Sequence, residues 1–147
     1  YAIDPNNVGI CLIINQRTFY RETDKKLELL VSIEPLKDRD GTDIDRNTLK
    51  KTFESIGFRT KVVENLTHSE IEHEVRNVMK IFSKKDSCLI VCILSHGREG
   101  QVFGVNSIGV SISEIENVLY SREYPTVLGK PKVLIIQSCQ GTPLQEV

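Results

Sequence analysis

The chain has 147 residues, 39% of them hydrophobic, which is enough for one domain with a buried core. Its 19 lysines and arginines nearly balance its 20 aspartates and glutamates, so the net charge does not favour nucleic acid or an anionic membrane as a partner. No apolar run approaches the roughly 20 residues that span a bilayer, and no signal-peptide pattern opens the sequence. We therefore expect a soluble domain that binds no nucleic acid and no membrane.

The first part of the chain predicts a strand, a loop and a helix. A continuous apolar run at Val8–Asn15 is typical of a strand that is covered on both faces. Residues 16–41 are charged and lack apolar periodicity, so they are predicted to form a long loop. Thr42 precedes Asp45 in a pattern that resembles a capping box, and this predicts a helix that Gly57 ends.

The rest of the chain continues the alternation of strands and helices. Thr67 and Glu70 repeat the capping pattern and predict the start of a second helix. The other predicted elements are strands at Phe58–Glu64, Cys88–Leu94 and Val133–Ile136, a short helix at Ser113–Tyr120, and a small hairpin of Gln101–Phe103 and Val110–Ile112. This order predicts an α/β fold with a mainly parallel central sheet flanked by helices.

Three of the four cysteines lie in apolar runs that are typical of buried strands. Cys11, Cys88 and Cys92 are therefore predicted to be reduced thiols of an intracellular protein, for which we expect a cytoplasmic location. The spacing of Cys88, Cys92 and His96 does not predict a metal site, because four residues of a strand span about 13 Å. Since the first residue is Tyr1 rather than methionine, we expect a processed or truncated product.

Two predicted strands are followed by side chains that are typical of nucleophilic catalysis. The sequence SHG (95–97) follows one apolar run, and QSCQG (137–141) follows another. Because the carboxyl ends of parallel strands share one edge of a sheet, we expect His96 and Cys139 to meet there. An imidazole that accepts the thiol proton increases the reactive thiolate and later protonates the leaving amine.

The residues around these two candidates favour catalysis over a structural role. Most isolated cysteines are buried hydrophobic residues, but the polar neighbours of Cys139 favour a nucleophile. The backbone N–H groups of Gly97 and Cys139 are our candidates for binding an oxyanion. His68 and His73 lie on or near the charged face of the second helix and are predicted to be exposed. Gly97 and Gly100 lack the Lys-Ser/Thr of a phosphate loop, which argues against nucleotide binding.

The segment QSCQG resembles the signature of the caspases, with serine in place of the usual alanine, and SHG resembles the histidine motif of that family. The resemblance continues through GICLIIN, DRDGTDIDRNTLKKTFESIGF, CILSHGREG and GKPKVLIIQSCQG, and so covers almost the whole chain. It implies a caspase-like three-layer fold in which residues 1–147 form the large, catalytic subunit domain. Within the family, the chain is most similar to initiator caspases that act below death receptors and to their insect immune relatives.

The resemblance also implies roles for residues outside the two motifs. Arg39 matches the arginine that binds the substrate aspartate, and Gln137 matches the glutamine beside it. A planar guanidinium binds a carboxylate through two charge-assisted hydrogen bonds, which lysine does not reproduce. The third catalytic element of the family is assigned to a backbone carbonyl two residues before this arginine, which here belongs to Lys37.

The implied activity is hydrolysis of peptide bonds after aspartate, in apoptotic or innate immune signalling, with no cofactor and no metal. The implied partners are a separate small subunit, a second large and small pair in a dimer of heterodimers, protein substrates with aspartate before the cut, and adaptor proteins recruited through an absent prodomain. We expect the isolated chain to be inactive and to expose a sheet edge to which the small subunit adds strands. Residues 143–147 lack the aspartate at which such precursors are cut.

Two other functions stay open at the level of sequence. One is a catalytically weak, caspase-like regulatory partner that acts by heterodimerisation, although the intact Cys139 and His96 argue against it. The other is a nucleotide-binding α/β domain, for which the sequence offers little support. The residues preferred upstream of the substrate aspartate, and the choice between cell death and immunity, do not follow from the sequence.

Overall fold

Strands and helices alternate along the chain, as the sequence predicts. The computed structural model describes residues 3–139, and for Cys139 it describes the backbone alone. The strands are β1 (Gly9–Asn15), β2 (Phe58–Glu64), β3 (Cys88–Arg98), β4 (Gln101–Phe103), β5 (Gly109–Ser111) and β6 (Lys132–Cys139). The α-helices are α1 (Thr42–Ser55), α2 (His68–Ile81) and α3 (Ile112–Leu119), and a 3-10 helix spans Lys25–Leu30.

Strands β1 and β3 form the centre of a mainly parallel sheet. β1 pairs in parallel with β2 on one side and with β3 on the other, and β3 also pairs in parallel with β6. The antiparallel hairpin of β4 and β5 joins the end of β3, where Gly97 pairs with Val102. The predicted α/β fold with a mainly parallel sheet and a small hairpin is therefore confirmed.

Side chains of β1 and β3 alternate between two hydrophobic clusters, because successive residues of a strand point to opposite faces. The larger cluster lies between the sheet and helices α2 and α3, and includes Leu12 and Val91. The smaller cluster lies under α1 and includes Cys11 and Cys92, with Phe53 of the helix packed against it. Helices therefore cover both faces of the sheet and produce three layers.

Helices α1 and α2 begin in different ways. The Thr67 hydroxyl accepts the N–H of Glu70, and the Glu70 carboxylate accepts the N–H of Thr67, so the predicted capping box of α2 is confirmed. The capping box predicted at Thr42 is wrong, since α1 is capped by Gly41 with a φ of 88° and no side-chain bond. The Thr42 hydroxyl instead donates to the buried Asn15 side chain, which satisfies an amide oxygen that has no access to water.

Strands β3 and β6 extend beyond the apolar runs that predicted them. The runs end at Leu94 and Ile136, but the strands continue to Arg98 and Cys139 because each supplies backbone partners for the other. The predicted loop contains the 3-10 helix, none of whose residues is buried. Within the part of the chain that the structure describes, no helix combines the length and apolarity needed to cross a bilayer.

The two histidines of α2 differ in environment. His73 is exposed, as predicted. The prediction that His68 is exposed is wrong, because this residue is half-buried. Its backbone N–H donates to Asn106 Oδ1 at 3.1 Å, and its ring Nδ1 lies 2.9 Å from Asn106 Nδ2.

Candidate active site

The carboxyl ends of β3 and β6 bring His96 and Cys139 together. In the parallel ladder of these two strands, Cys139 is the register partner of His96. Neighbouring strands lie about 4.8 Å apart, so the two backbone positions are immediate neighbours. The sequence predicted one shared edge of the sheet for these residues, and the structure places their backbones side by side on it.

A backbone carbonyl fixes one nitrogen of the His96 imidazole. Nε2 lies 2.6 Å from the carbonyl oxygen of Lys37. Because a carbonyl oxygen only accepts hydrogen bonds, Nε2 is the nitrogen that carries the hydrogen in this contact. In the neutral ring, Nδ1 is then left to accept a proton. The carbonyl that the resemblance implied as a third element therefore lies within hydrogen-bond distance of the histidine.

The loop that supplies the Lys37 carbonyl also supplies an aromatic contact to His96. The ring centroid of Phe19 lies 4.8 Å from that of the imidazole, with the two planes tilted by 56°. The N–H of Phe19 donates to Asp38 Oδ1 at 3.0 Å. Sequence reasoning missed Phe19 and Asp38, because no sequence pattern distinguishes them from the other residues of this charged loop.

Arg39 is half-buried and is anchored to the start of α1. Its Nη1 donates to the carbonyl of Gln16 at 2.9 Å and to the hydroxyl of Thr42 at 2.8 Å. The Thr42 hydroxyl in turn donates to Asn15 Oδ1 at 2.8 Å. The end of β1 and the first turn of α1 therefore hold the guanidinium from two sides.

Gln137 is exposed on β6 and contacts the same helix. Its Nε2 donates to Asp45 Oδ2 at 3.3 Å. Asp45 and Thr42 are three residues apart on α1 and so lie on the same side of the helix. One turn of α1 thus contacts both Arg39 and Gln137, which the resemblance implied as the substrate-binding residues.

The side-chain amides of Asn15 and Gln16 are fully buried at the end of β1, beside this turn. Asn15 Nδ2 donates to the carboxylates of Asp43 and Glu64 at 3.0 and 2.9 Å. Gln16 Nε2 donates to the carbonyl of Leu66 at 2.6 Å, and Gln16 Oε1 accepts the Leu66 N–H at 2.7 Å. Because buried polar groups are costly to leave unpaired, these bonds fix the backbone from which the loop departs.

Gly97 is packed among β3, β4 and β6. A Cβ atom at this position would lie 2.7 Å from Ser138 Oγ and 2.8 Å from the carbonyl oxygen of Gln101. Both distances are shorter than van der Waals contact, so lack of space requires glycine here. The residue lies directly after His96, at the edge of the sheet where the sequence predicted an oxyanion-binding N–H.

The remaining cysteines are in a different environment. Cys11, Cys88 and Cys92 are buried and free, as predicted. Burial raises the pKa of the Cys88 thiol, and contact with Cys92 together with burial raises that of Cys11. Protonated, buried thiols are poor nucleophiles. Among the side chains that the structure describes, which exclude that of Cys139, no group of three or more His, Cys, Asp or Glu residues is placed to hold a metal ion.

Some predictions concern residues outside the described part of the chain. Gln140 and Gly141, the last two residues of the QSCQG motif, lie beyond it, as do Tyr1 and residues 143–147.

Comparison with known proteins identifies the family. Residues 8–146 match the family model described as Caspase domain. The chain is 42% identical over 134 residues to Caspase-8 of Drosophila pseudoobscura pseudoobscura, an alignment of 91% of this chain and 26% of that protein. It is 36% identical over 138 residues to Caspase-8 of Mus musculus, covering 94% of this chain and 28% of the relative. It is 33% identical over 144 residues to Caspase-3 of Bos taurus, an alignment that covers 98% of this chain and 48% of that protein.

The chain belongs to the caspase family, and the resemblance predicted from its motifs is confirmed. It spans 26% and 28% of the length of the two Caspase-8 proteins, and 48% of the length of the Caspase-3 protein.

Proposed function

We propose that this chain is the large subunit of an initiator-type caspase, a cysteine endopeptidase that hydrolyses peptide bonds after aspartate. The observation that carries the proposal is the register pairing of His96 with Cys139, together with the 2.6 Å contact between His96 Nε2 and the Lys37 carbonyl. This contact leaves Nδ1 to accept a proton at the end of the strand that neighbours the cysteine. Family membership and the relatives named Caspase-8 support the initiator type.

In the proposed reaction, His96 Nδ1 takes the proton of the Cys139 thiol, and the thiolate attacks the carbonyl carbon of the substrate aspartate. The carbonyl oxygen becomes an oxyanion that accepts hydrogen bonds from the N–H groups of Gly97 and Cys139. When the C–N bond breaks, the imidazolium gives its proton to the leaving amine and a thioester remains. A water molecule that gives its proton to the imidazole then hydrolyses the thioester and releases the Cys139 thiol.

We assign selection of aspartate to Arg39 and Gln137. The guanidinium of Arg39 is held at Nη1 by the Gln16 carbonyl and the Thr42 hydroxyl, which limits its rotation. A restrained planar fork fits a carboxylate at one distance from the substrate backbone, so glutamate, with one more methylene, fits less well. Asparagine would leave the charge of Arg39 uncompensated, which a polar pocket rejects strongly.

The outer edge of β6 supports the proposal that a small subunit completes the enzyme. In the described part of the chain, β6 pairs with β3 alone. A groove of about 260 Å³, lined by aliphatic and by polar or charged residues, lies beside it, and Val133 on this strand is 44% exposed. The aliphatic residues that line the groove are Ile112, Leu119, Leu134 and Ile136. We propose that the small subunit adds strands to this edge and covers the groove.

The remaining partners follow from the same assignment. Two large and small pairs would form a dimer of heterodimers in the cytoplasm, and adaptor proteins would recruit the precursor through a segment outside this chain. Cleavage of protein substrates would then transmit a signal in cell death or in innate immunity.

The experiment is to co-express this chain with the small subunit and to measure hydrolysis of a fluorogenic aspartyl peptide. Cys139→Ala and His96→Ala are each expected to lower kcat by at least about 1,000-fold, because nucleophile and base act as a unit. Cys88→Ala and His73→Ala are matched controls on a buried and an exposed residue, and both should retain activity. Undiminished cleavage by the Cys139→Ala protein would refute the proposal.

Covalent labelling separates this enzyme from a regulatory partner that acts by heterodimerisation. An aspartyl chloromethyl ketone is expected to add to Cys139 in the assembled protein, as mass spectrometry of its peptides would show. A regulatory partner would form no such adduct. The purified chain without the small subunit is expected to be inactive, and robust activity from it alone would contradict the proposed assembly.

A further inference from the structure

The loop between β1 and α1 contacts His96 at two positions that are far apart in the sequence. Near the start of the loop, the Phe19 ring packs against the imidazole with a centroid distance of 4.8 Å. Near its end, the carbonyl of Lys37 lies 2.6 Å from Nε2. A hydrogen bond therefore holds the imidazole at Nε2, and the Phe19 ring restricts the movement of the imidazole plane.

A side chain joins these two positions to each other. Asp38, the residue after Lys37, accepts the backbone N–H of Phe19 at 3.0 Å through Oδ1. A second bond at the same junction runs from the N–H of Arg39 to the carbonyl of Arg17 at 2.8 Å. Movement of either end of the loop would therefore change both contacts with His96.

We propose that Phe19 and Asp38 are positioning residues for His96, an inference that rests on the proposed function. One hydrogen bond at Nε2 leaves the imidazole free to tilt about that bond. The Phe19 ring restricts this tilt, and Asp38 holds Phe19 and the Lys37 carbonyl in a fixed relation. The pair keeps the ring in the orientation in which Nε2 donates to Lys37 and Nδ1 stays available to accept a proton.

The location of both residues separates this role from a contribution to the core. Phe19 is half-buried and belongs to neither hydrophobic cluster, and Asp38 is exposed. Removing either side chain therefore leaves the packing between sheet and helices intact. The bond to the Phe19 N–H needs an acceptor rather than a charge, so an asparagine side chain would preserve it.

The test uses the assembled protease and four variants in two pairs. Phe19→Ala removes the ring and Phe19→Tyr keeps it, while Asp38→Ala removes the acceptor and Asp38→Asn keeps it. Tyr20→Ala is the matched control for the aromatic residue, since Tyr20 is adjacent and 51% exposed. Asp24→Ala is the control for the acid, because Asp24 also accepts a backbone N–H of this loop, that of Lys26 at 3.0 Å.

Both truncations are expected to lower kcat by about 10-fold or more, with KM changed less than about twofold, because they disorient the base without touching the substrate. Phe19→Tyr, Asp38→Asn and both controls should stay within about threefold of the parent kcat. The inference is overturned if the truncations keep the parent kcat, if they change KM alone, or if the conservative variants lose as much activity as the truncations.

A second measurement does not depend on turnover. In ¹⁵N NMR of the imidazole, the parent protein is expected to show His96 as the single tautomer protonated at Nε2, while both truncations should show exchange between tautomers. An unchanged His96 spectrum in the truncations would overturn the inference. Failure of the proposed function would instead appear as a parent protein without activity toward aspartyl peptides.

Discussion

Asp86 is almost completely buried and is bound at both carboxylate oxygens by Arg59. Nη1 donates to Oδ1 at 2.7 Å and Nη2 to Oδ2 at 3.0 Å, while the Ser83 N–H donates to the same carboxylate at 2.8 Å. Burial by itself would raise the pKa of Asp86, but the hydrogen bonds from Arg59 and Ser83 hold it below its ordinary value. The pair joins β2 to the turn that leads into β3.

Replacing Asp86 should therefore destabilise the fold. Asp86→Ala is expected to lower the free energy of unfolding by about 2 kcal/mol, because it leaves the Ser83 N–H and the Arg59 guanidinium without their acceptor. Urea denaturation would measure the loss. Lys50→Ala is the control, since its exposed pair with Glu54 should contribute less than about 0.5 kcal/mol. Equal losses of unfolding free energy in the two variants would contradict this stabilising role of Asp86.

The same carboxylate should make stability depend on acid pH. The pKa of Asp86 is lower in the folded chain than the ordinary value of 3.8, so its ionised form stabilises the fold. That contribution is complete above the ordinary value and is lost as the pH falls through the lower folded value. We expect the unfolding free energy of Asp86→Asn to decrease less between pH 5 and pH 3 than that of the parent chain. If the unfolding free energies of the two proteins fell equally over this pH range, the proposed link between Asp86 ionisation and stability would be contradicted.

Gly97 should not tolerate even one added methyl group. In Gly97→Ala the new Cβ would meet Ser138 Oγ and the Gln101 carbonyl at less than 3 Å, so β3 and its neighbours must shift beside His96. We expect a loss of about 2 kcal/mol in stability, together with a reduced kcat of the assembled enzyme. Gly100→Ala is the control, because its φ of 74° adds strain but no atom lies within 4 Å. Parent-like kcat in Gly97→Ala would contradict the tight packing.

The four cysteines should differ sharply in reactivity. Brief treatment of the folded protein with iodoacetamide is expected to modify Cys139 and to spare Cys11, Cys88 and Cys92, which are buried. The raised pKa values of Cys11 and Cys88 favour their unreactive thiol forms. Peptide mass spectrometry would identify the modified sites, and treatment in urea should modify all four. Modification of the buried three before Cys139 would contradict this order.

The elements that sequence predicted well are those in which local pattern and tertiary packing agree. β1 and β3 are covered on both faces, so their apolar runs are continuous, and β2 has the bounds that its alternation predicted. Thr67 and Glu70 satisfy each other within a single turn, so their capping box needs no distant partner. The backbone proximity of His96 and Cys139 follows from the geometry of parallel strands.

The elements that sequence missed depend on partners far away in the chain. Thr42 has the sequence of a cap, but its hydroxyl is recruited by Asn15, which is 27 residues distant. His68 is half-buried because Asn106, 38 residues away, bonds to its backbone and ring. Phe19 carries no motif, and its contact with His96 arises only when the loop folds back onto β3. Local pattern holds no information about such pairings.

Because side chains alternate between the two faces of the sheet, the two faces carry residues with different roles. Helix α1 and the smaller cluster lie on the face where Arg39 and Gln137 are anchored, whereas α2, α3 and most of the hydrophobic core lie on the other. Residues that determine thermal stability are thus largely separated from those that would determine substrate choice. Substitutions in the core of α2 are therefore expected to change thermal stability more than substrate choice, whereas substitutions at the α3 residues that line the groove beside β6 would also affect the proposed small-subunit contact.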